Sequence, residues 1–184
     1  MKKILTALCI FGLTSPAIAE SNVFFGEKIN SFSLYATQST DSGSLLKLVQ
    51  PGIWDFAPQN FVLLQYSQPI KFFRLDSKLN LDIGQNFAYG SSRGLSFTGI
   101  GISVDTALLR YHGWYFGIGI GPFMRNDRDR WVESRLVFGE KVFIGKAIND
   151  SWNMELYTIH FSNGNFTPAN EGFNFAGIGV RYNF

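Results

Sequence analysis

Residues 152–184 read WNMELYTIHFSNGNFTPANEGFNFAGIGVRYNF. Two alternating segments flank a short polar loop. In the second, Ala176, Ile178, Val180, Tyr182 and Phe184 share one face, and Gly177, Gly179, Arg181 and Asn183 share the other. In the first, Trp152, Met154 and Leu156 oppose Asn153, Glu155 and Tyr157. A period of two predicts β-strands. His160 and Ser162 continue the apolar face of the first segment, and Asn174 opens the apolar face of the second. The charges point the other way. A soluble protein would turn such a polar pair toward water. A barrel with lipid outside and a polar interior puts it on the lipid side.

Working outward, alternation recurs at about 30–38, 60–70, 74–89, 95–106, 111–124 and 132–146, followed by 151–163 and 173–184. The third segment sets Leu75, Leu79, Leu81, Ile83, Phe87 and Tyr89 against Asp76, Lys78, Asn80, Asp82 and Asn86. The sixth sets Leu136, Phe138, Val142 and Ile144 against Glu133, Arg135 and Lys141. Eight such segments predict an all-β, antiparallel, eight-stranded transmembrane barrel of the outer membrane. A soluble sandwich also alternates, so the ends of the chain decide. The start, Met-Lys-Lys followed by an apolar run from Ile4 to Leu13 and then Ser-Pro-Ala-Ile-Ala, has the form of a secretory signal peptide over residues 1–19. That run is too short to persist as a membrane helix. The final aromatic, Phe184, resembles the recognition signal read by the outer-membrane barrel assembly machinery. Residues 20–184 are then one barrel domain in the outer membrane of a Gram-negative bacterium.

Composition narrows the function. Aromatics make up 16% and glycines number 19, which suits aromatic girdles around a crowded lumen. A formal charge of +2, part of it from Lys2 and Lys3 in the leader, leaves no footprint for nucleic acid. The one cysteine, Cys9, leaves with the leader, so no disulfide or thiolate metal site is expected, and no cofactor. The Gly-x-Gly runs at 99–101 and 117–121 lack the strand-turn-helix setting of a phosphate loop and alternate with Ile like a barrel wall.

The stretch WNMELYTIHFSNGN…PANEGFN resembles the signature region of the outer-membrane lipid A 3-O-deacylases. The resemblance implies an ester hydrolase that removes the 3-hydroxyacyl chain at position 3 of lipid A. It also implies a Ser-His-Glu triad on the barrel exterior. His160, Phe161, Ser162 and Asn163 match the family's H-x-S-N motif, which makes Ser162 the nucleophile and His160 the base. The loop around Pro168, Asn170, Glu171 and Gly172 matches its connecting segment. By the same resemblance Asn163, Gly164 and Asn170 support the site or the oxyanion. One position departs: Asn174 stands where the family has Glu, and Glu171 lies nearby in the loop at the opposite parity.

The residue types fit the chemistry. Ester hydrolysis at neutral pH needs an activated nucleophile, a proton shuttle and oxyanion donors. Neighbours at i and i+2 on a strand have β-carbons within about 7 Å, so His160 can reach the Ser162 hydroxyl. Asn174 can orient the imidazole but brings no charge. It leaves three readings open: a slower enzyme, one in which Glu171 supplies the acid, or a barrel that has lost activity and serves a structural or adhesive role. An acyltransferase barrel would need an interior hydrocarbon pocket, against which the polar lumen face argues.

Depth along the wall agrees with a lipid substrate. With both ends periplasmic, the seventh strand runs outward. Its eight steps from Trp152 to His160, at roughly 3.3 Å each and tilted near 45°, cover about 19 Å of an apolar band about 25 Å tall. His160 therefore falls near the outer rim, where acyl esters of lipopolysaccharide meet their sugars. Segments 40–59, 90–94, 125–131 and 164–172 become external loops, and 68–73 and 146–150 become periplasmic turns. His112 reads as a structural turn residue. The run from Arg125 to Arg130 reads as a solvated loop, with contact to lipopolysaccharide phosphates as the alternative. Glu155, Arg181, Glu133, Arg135, Asp76 and Lys78 are expected to pair inside the lumen. A homodimer is left open.

Overall fold

The computed structural model describes residues 30–40, 55–89, 96–129 and 131–184. The predicted leader, with Cys9, lies outside them, as do 41–54 of the first long loop, 90–95 of the second and Arg130. Eight strands follow in order: β1 Ser31–Ser39, β2 Gln59–Phe72, β3 Leu75–Ala88, β4 Phe97–Tyr111, β5 Trp114–Arg125, β6 Leu136–Ala147, β7 Trp152–Ser162 and β8 Phe173–Asn183. Each pairs antiparallel with its neighbours, and β1 pairs with β8 to close the barrel. Closure leaves no unpaired edge, the condition for a sheet to sit in hydrocarbon.

The two ends of the barrel differ. At one end β2 and β3 join through Phe73 (φ 48°) and Arg74 (φ 67°), and β4 and β5 through His112 (φ 43°) and Gly113 (φ 90°). Two successive residues at positive φ give the tight turn whose twist matches that of the strands it joins. His112 is exposed there, edge-on to Tyr111 at 4.2 Å between ring centres. The β6–β7 turn is held by the Asn149 side chain, which accepts from the Ser151 and Trp152 amides at 3.0 and 2.9 Å. Long loops occupy the other end. Outer-membrane barrels keep their short turns in the periplasm, so the loop end faces outward.

Alternation decides what each face meets. Outward residues are apolar and open, including Leu34, Ile100, Leu156 and Ile178. An aromatic belt rings the turn end, with Trp152 against Tyr182 at 4.9 Å and Phe32 against Phe184 at 5.4 Å. Inward residues are buried and form two zones. Toward the loop end, Phe61 packs against Phe97, Phe161 and Phe175 at 5.2–6.3 Å, and Phe123 against Phe161 at 5.1 Å. Small residues make this room: a β-carbon on inward-facing Gly84 would lie 2.4 Å from the Phe61 ring. Below the aromatics lies a charged network. Arg181 meets Glu155 at 2.7 Å, and the Tyr35 and Tyr115 hydroxyls donate to the same carboxylate at 2.6 and 2.5 Å. Lys141 lies 3.5 Å from Asp82 and 3.3 Å from Asp105. Side chains fill the lumen and make the barrel a scaffold.

Some expectations need correction. β4 runs on to Tyr111 through an irregularity between Ala107 and Leu109, where the extra residue breaks the alternation on which its limit rested. β6 starts at Leu136, so Glu133 and Arg135 are exposed in the preceding loop and do not enter the lumen. Asp76 sits at the turn end, paired with Lys71 and with Arg110 at 2.6 Å. Lys78 is inside as predicted, donating to Ser31 at 2.8 Å. The loop after β5 is not simply solvated either. Arg125 and Asp129 are buried and paired at 2.9 Å, and Arg125 also donates to the Val132 and Ser134 carbonyls. Its guanidinium lies over the Phe97 and Phe173 rings and caps the aromatic zone.

Candidate active site on the lipid-facing wall

His160 and Ser162 occupy the last outward positions of β7, at the loop end. Asn174 on β8 stands directly across from His160. Antiparallel partners have β-carbons about 4.5–5.5 Å apart, so register alone brings the two polar groups together. His160 Nδ1 lies 2.6 Å from Asn174 Oδ1. The carboxamide oxygen only accepts, so Nδ1 carries the proton and the Nε2 lone pair is left to act as a base. Ser162 lies one outward step further along the same face, without a hydrogen bond to His160 in this structure. Such bonds commonly tighten only when substrate is bound.

The three residues are covered far more than their outward neighbours. His160 is 5% exposed, Ser162 9% and Asn174 1%, against 61% for Leu156 on the same face. Phe138 stands opposite Ser162 in register, and its ring meets Phe166 of the following loop at 5.8 Å. On the other side the Thr40 amide donates to the Asn174 carbonyl at 2.9 Å. The polar cluster thus sits in a sheltered notch at the rim of an apolar wall.

The loop after β7 is built around Asn163. Its parity puts it inside, fully buried, where its side-chain amide donates to Thr167 Oγ1 at 2.5 Å and the Ala169 carbonyl at 2.8 Å. Its side-chain oxygen accepts from the Asn165 amide at 2.9 Å. Asn170 accepts from the Asn163 amide at 2.8 Å and donates to Asn165 Oδ1 at 2.9 Å. Gly164 turns the chain at φ 63°, a left-handed conformation that glycine adopts without steric cost. Asn170 also bridges to Val132, and the Glu171 amide donates to the Trp131 carbonyl at 2.9 Å, so two external loops are tied together above the site. The Glu171 side chain is exposed on that loop, and the side chain bonded to the His160 ring is that of Asn174.

One residue of this neighbourhood was not singled out from the sequence. Glu140 of β6 faces His160 across the β6–β7 pair, on the side opposite Asn174. Its signal lay in parity, since it shares the outward face with Phe138, Val142 and Ile144. A glutamate on a lipid-facing strand is anomalous. Among the described residues no cluster of His, Cys, Asp and Glu is arranged to hold a metal ion.

Comparison with known proteins gives the site a context. No curated protein sequence matches the chain significantly. Among solved structures, the N-terminal β-barrel domain of Pseudomonas aeruginosa OprF is similar with TM-score 0.57 at 10% identity, covering 86% of this chain and 98% of that one. Neisserial surface protein A is similar with TM-score 0.55 at 13% identity, covering 85% and 96%. The outer-membrane enzyme PagL is similar with TM-score 0.51 at 13% identity, covering 82% and 97%. At these identities the likeness is one of fold, that of the Gram-negative outer-membrane barrels. The family model described as lipid A 3-O-deacylase (PagL) matches residues 61–183, which run from the third residue of β2 to the end of β8 and include every residue of the notch except Thr40. The chain belongs to the lipid A 3-O-deacylase family.

Proposed function

We propose that this barrel hydrolyses the ester-linked 3-hydroxyacyl chain at position 3 of lipid A in the outer leaflet, with Ser162 as nucleophile and His160 as base. Family membership supports the substrate, and the observation that carries the mechanism is the 2.6 Å bond that keeps the proton on His160 Nδ1 and leaves Nε2 as the basic nitrogen, on the strand face that Ser162 shares. Ser162 Oγ attacks the acyl carbonyl as its proton passes to Nε2. The bond from the carbonyl carbon to the sugar oxygen then breaks, and that oxygen takes the proton back from Nε2. Water from the interface then attacks the acyl carbonyl as its proton passes to the same nitrogen, the bond from that carbon to Ser162 Oγ breaks, and Oγ takes the proton back from Nε2. The released 3-hydroxy fatty acid and a regenerated Ser162 complete the cycle.

The location suits a substrate that never leaves the membrane. The acyl chain lies along the apolar wall beside Leu156 and Ile178, and the sugars lie above the rim near the tied loops. The lumen is packed with aromatic rings among the described residues, which leaves the outer wall as the place for a hydrocarbon chain. Asn163 holds the loop from behind, while Gly164 and Asn170 frame the space above Ser162.

Mass spectrometry of lipid A from cells expressing the wild type and Ser162→Ala tests this reading. Loss of one 3-hydroxyacyl chain with the wild type alone supports it. Unchanged lipid A in both, with folded barrel in the outer membrane and no activity in detergent, would point to a non-enzymatic barrel.

A further inference from the structure

Glu140 is out of place on this wall. Its partner on β5 is Ile120, and its outward neighbours along β6 are Phe138 and Val142. Every other acid in the described strands has a cation: Asp76 has Lys71 and Arg110, Asp82 and Asp105 share Lys141, and Glu155 has Arg181. Among the described residues Glu140 has none; its side chain is half-buried, and its Oε2 is shielded there without a hydrogen-bond partner. Shielding a carboxylate oxygen without a partner is costly, and an unsatisfied buried polar atom calls for an explanation.

What Glu140 faces is His160, at the β6–β7 register position. On the other side His160 is held by a neutral amide that orients the ring but contributes no charge. Resting on the hydrolase reading above, we propose that Glu140 is the charge-balancing residue of the Ser162–His160 centre, supplying from β6 the negative charge that Asn174 on β8 lacks. When Ser162 attacks, its proton moves to Nε2 and the ring becomes a cation. Asn174 keeps the Nδ1–H in place while the carboxylate one strand away stabilises the imidazolium by charge. In a lipid-walled notch this attraction is only weakly screened. The two duties of a triad acid, orienting and charge balancing, are then divided between strands on either side of the histidine.

The test uses the purified full-length barrel in detergent, with lipid A as substrate and initial rates followed by mass spectrometry. Glu140→Gln keeps the shape of the side chain and removes its charge, so kcat should fall by about a hundredfold or more with KM little changed. A neutral amide in place of the acid of a serine-protease triad costs about 10⁴ and marks the upper end. The deciding variant is Glu140→Gln combined with Asn174→Glu, which returns a carboxylate to the histidine from β8. It should recover at least tenfold of the lost kcat. Wild-type kcat in Glu140→Gln would overturn the proposal, as would a loss that Asn174→Glu does not restore in barrel shown to be folded by its heat-modifiable gel mobility. An inactive wild type would instead overturn the hydrolase reading itself, so the two failures are distinguishable.

Discussion

His160 Nδ1 donates to Asn174 Oδ1 at 2.6 Å across the β7–β8 pair, on a surface that is otherwise hydrocarbon-facing. The bond fixes the imidazole tautomer without adding charge. Asn174→Ala should therefore lower kcat without moving KM. A hydrogen bond of this kind contributes about 0.5–1.5 kcal/mol net, and about 1.4 kcal/mol is tenfold in rate, so the expected loss is roughly three- to tenfold. Steady-state kinetics on lipid A in detergent would read it, and an unchanged kcat would remove the orienting role.

Ser162 and His160 act as one unit in this mechanism, and their losses should not add. Removing the nucleophile or the base of a serine hydrolase costs about as much alone as together, on the order of 10⁶ in kcat. Ser162→Ala, His160→Ala and the double variant should all fall to the same residual rate. A double variant clearly slower than both singles would mean that the two residues contribute independently.

Deep in the lumen, Arg181 neutralises Glu155 at 2.7 Å, with both side chains fully buried. Arg181→Met leaves that carboxylate with the two tyrosine hydroxyls as its hydrogen-bond partners and no cation in contact. Breaking a buried pair from one side typically costs about 3–5 kcal/mol. Urea unfolding in detergent should show the destabilisation. The companion Arg181→Met/Glu155→Gln variant should recover most of it, because no unpaired charge remains.

Gly84 lies beneath the Phe61 ring, with only 2.4 Å between an added β-carbon and the ring edge. Gly84→Ala should destabilise the barrel by about 1–3 kcal/mol through overpacking. Adding Phe61→Leu should relieve the clash and narrow the loss. The temperature at which the folded band disappears on unheated gels would measure both changes.

The lipid-facing reading of the outer wall makes a prediction of its own. Leu156, mid-strand and 61% exposed, should tolerate Arg badly, with a cost of about 2–4 kcal/mol near the bilayer midplane. Phe73 is more exposed still but sits in the turn between β2 and β3. Phe73→Arg should cost under about 1 kcal/mol. Equal effects in folded, bilayer-embedded protein would contradict the depth assigned to β7.

Much of this molecule is determined by its sequence alone, because a strand's faces follow from a period of two. Alternation from Leu75 to Ala88 and from Trp152 to Ser162 settles which side chains point outward, and eight such runs settle the barrel. The same rule puts His160, Ser162 and Asn174 on one surface and Asn163 inside. Where alternation lapses, as at Ala107–Leu109 or ahead of Leu136, strand limits could not be read locally. The tertiary structure decided which strands' residues become neighbours. Asn174 is fourteen residues from His160 in the chain and Glu140 twenty, yet both stand beside it because hydrogen-bond register in a closed sheet fixes the cross-strand pairs. Register depends on turn geometry and closure of the whole barrel, not on any single segment. That is why an oriented histidine was legible in the sequence and the unpaired carboxylate on its other side was not.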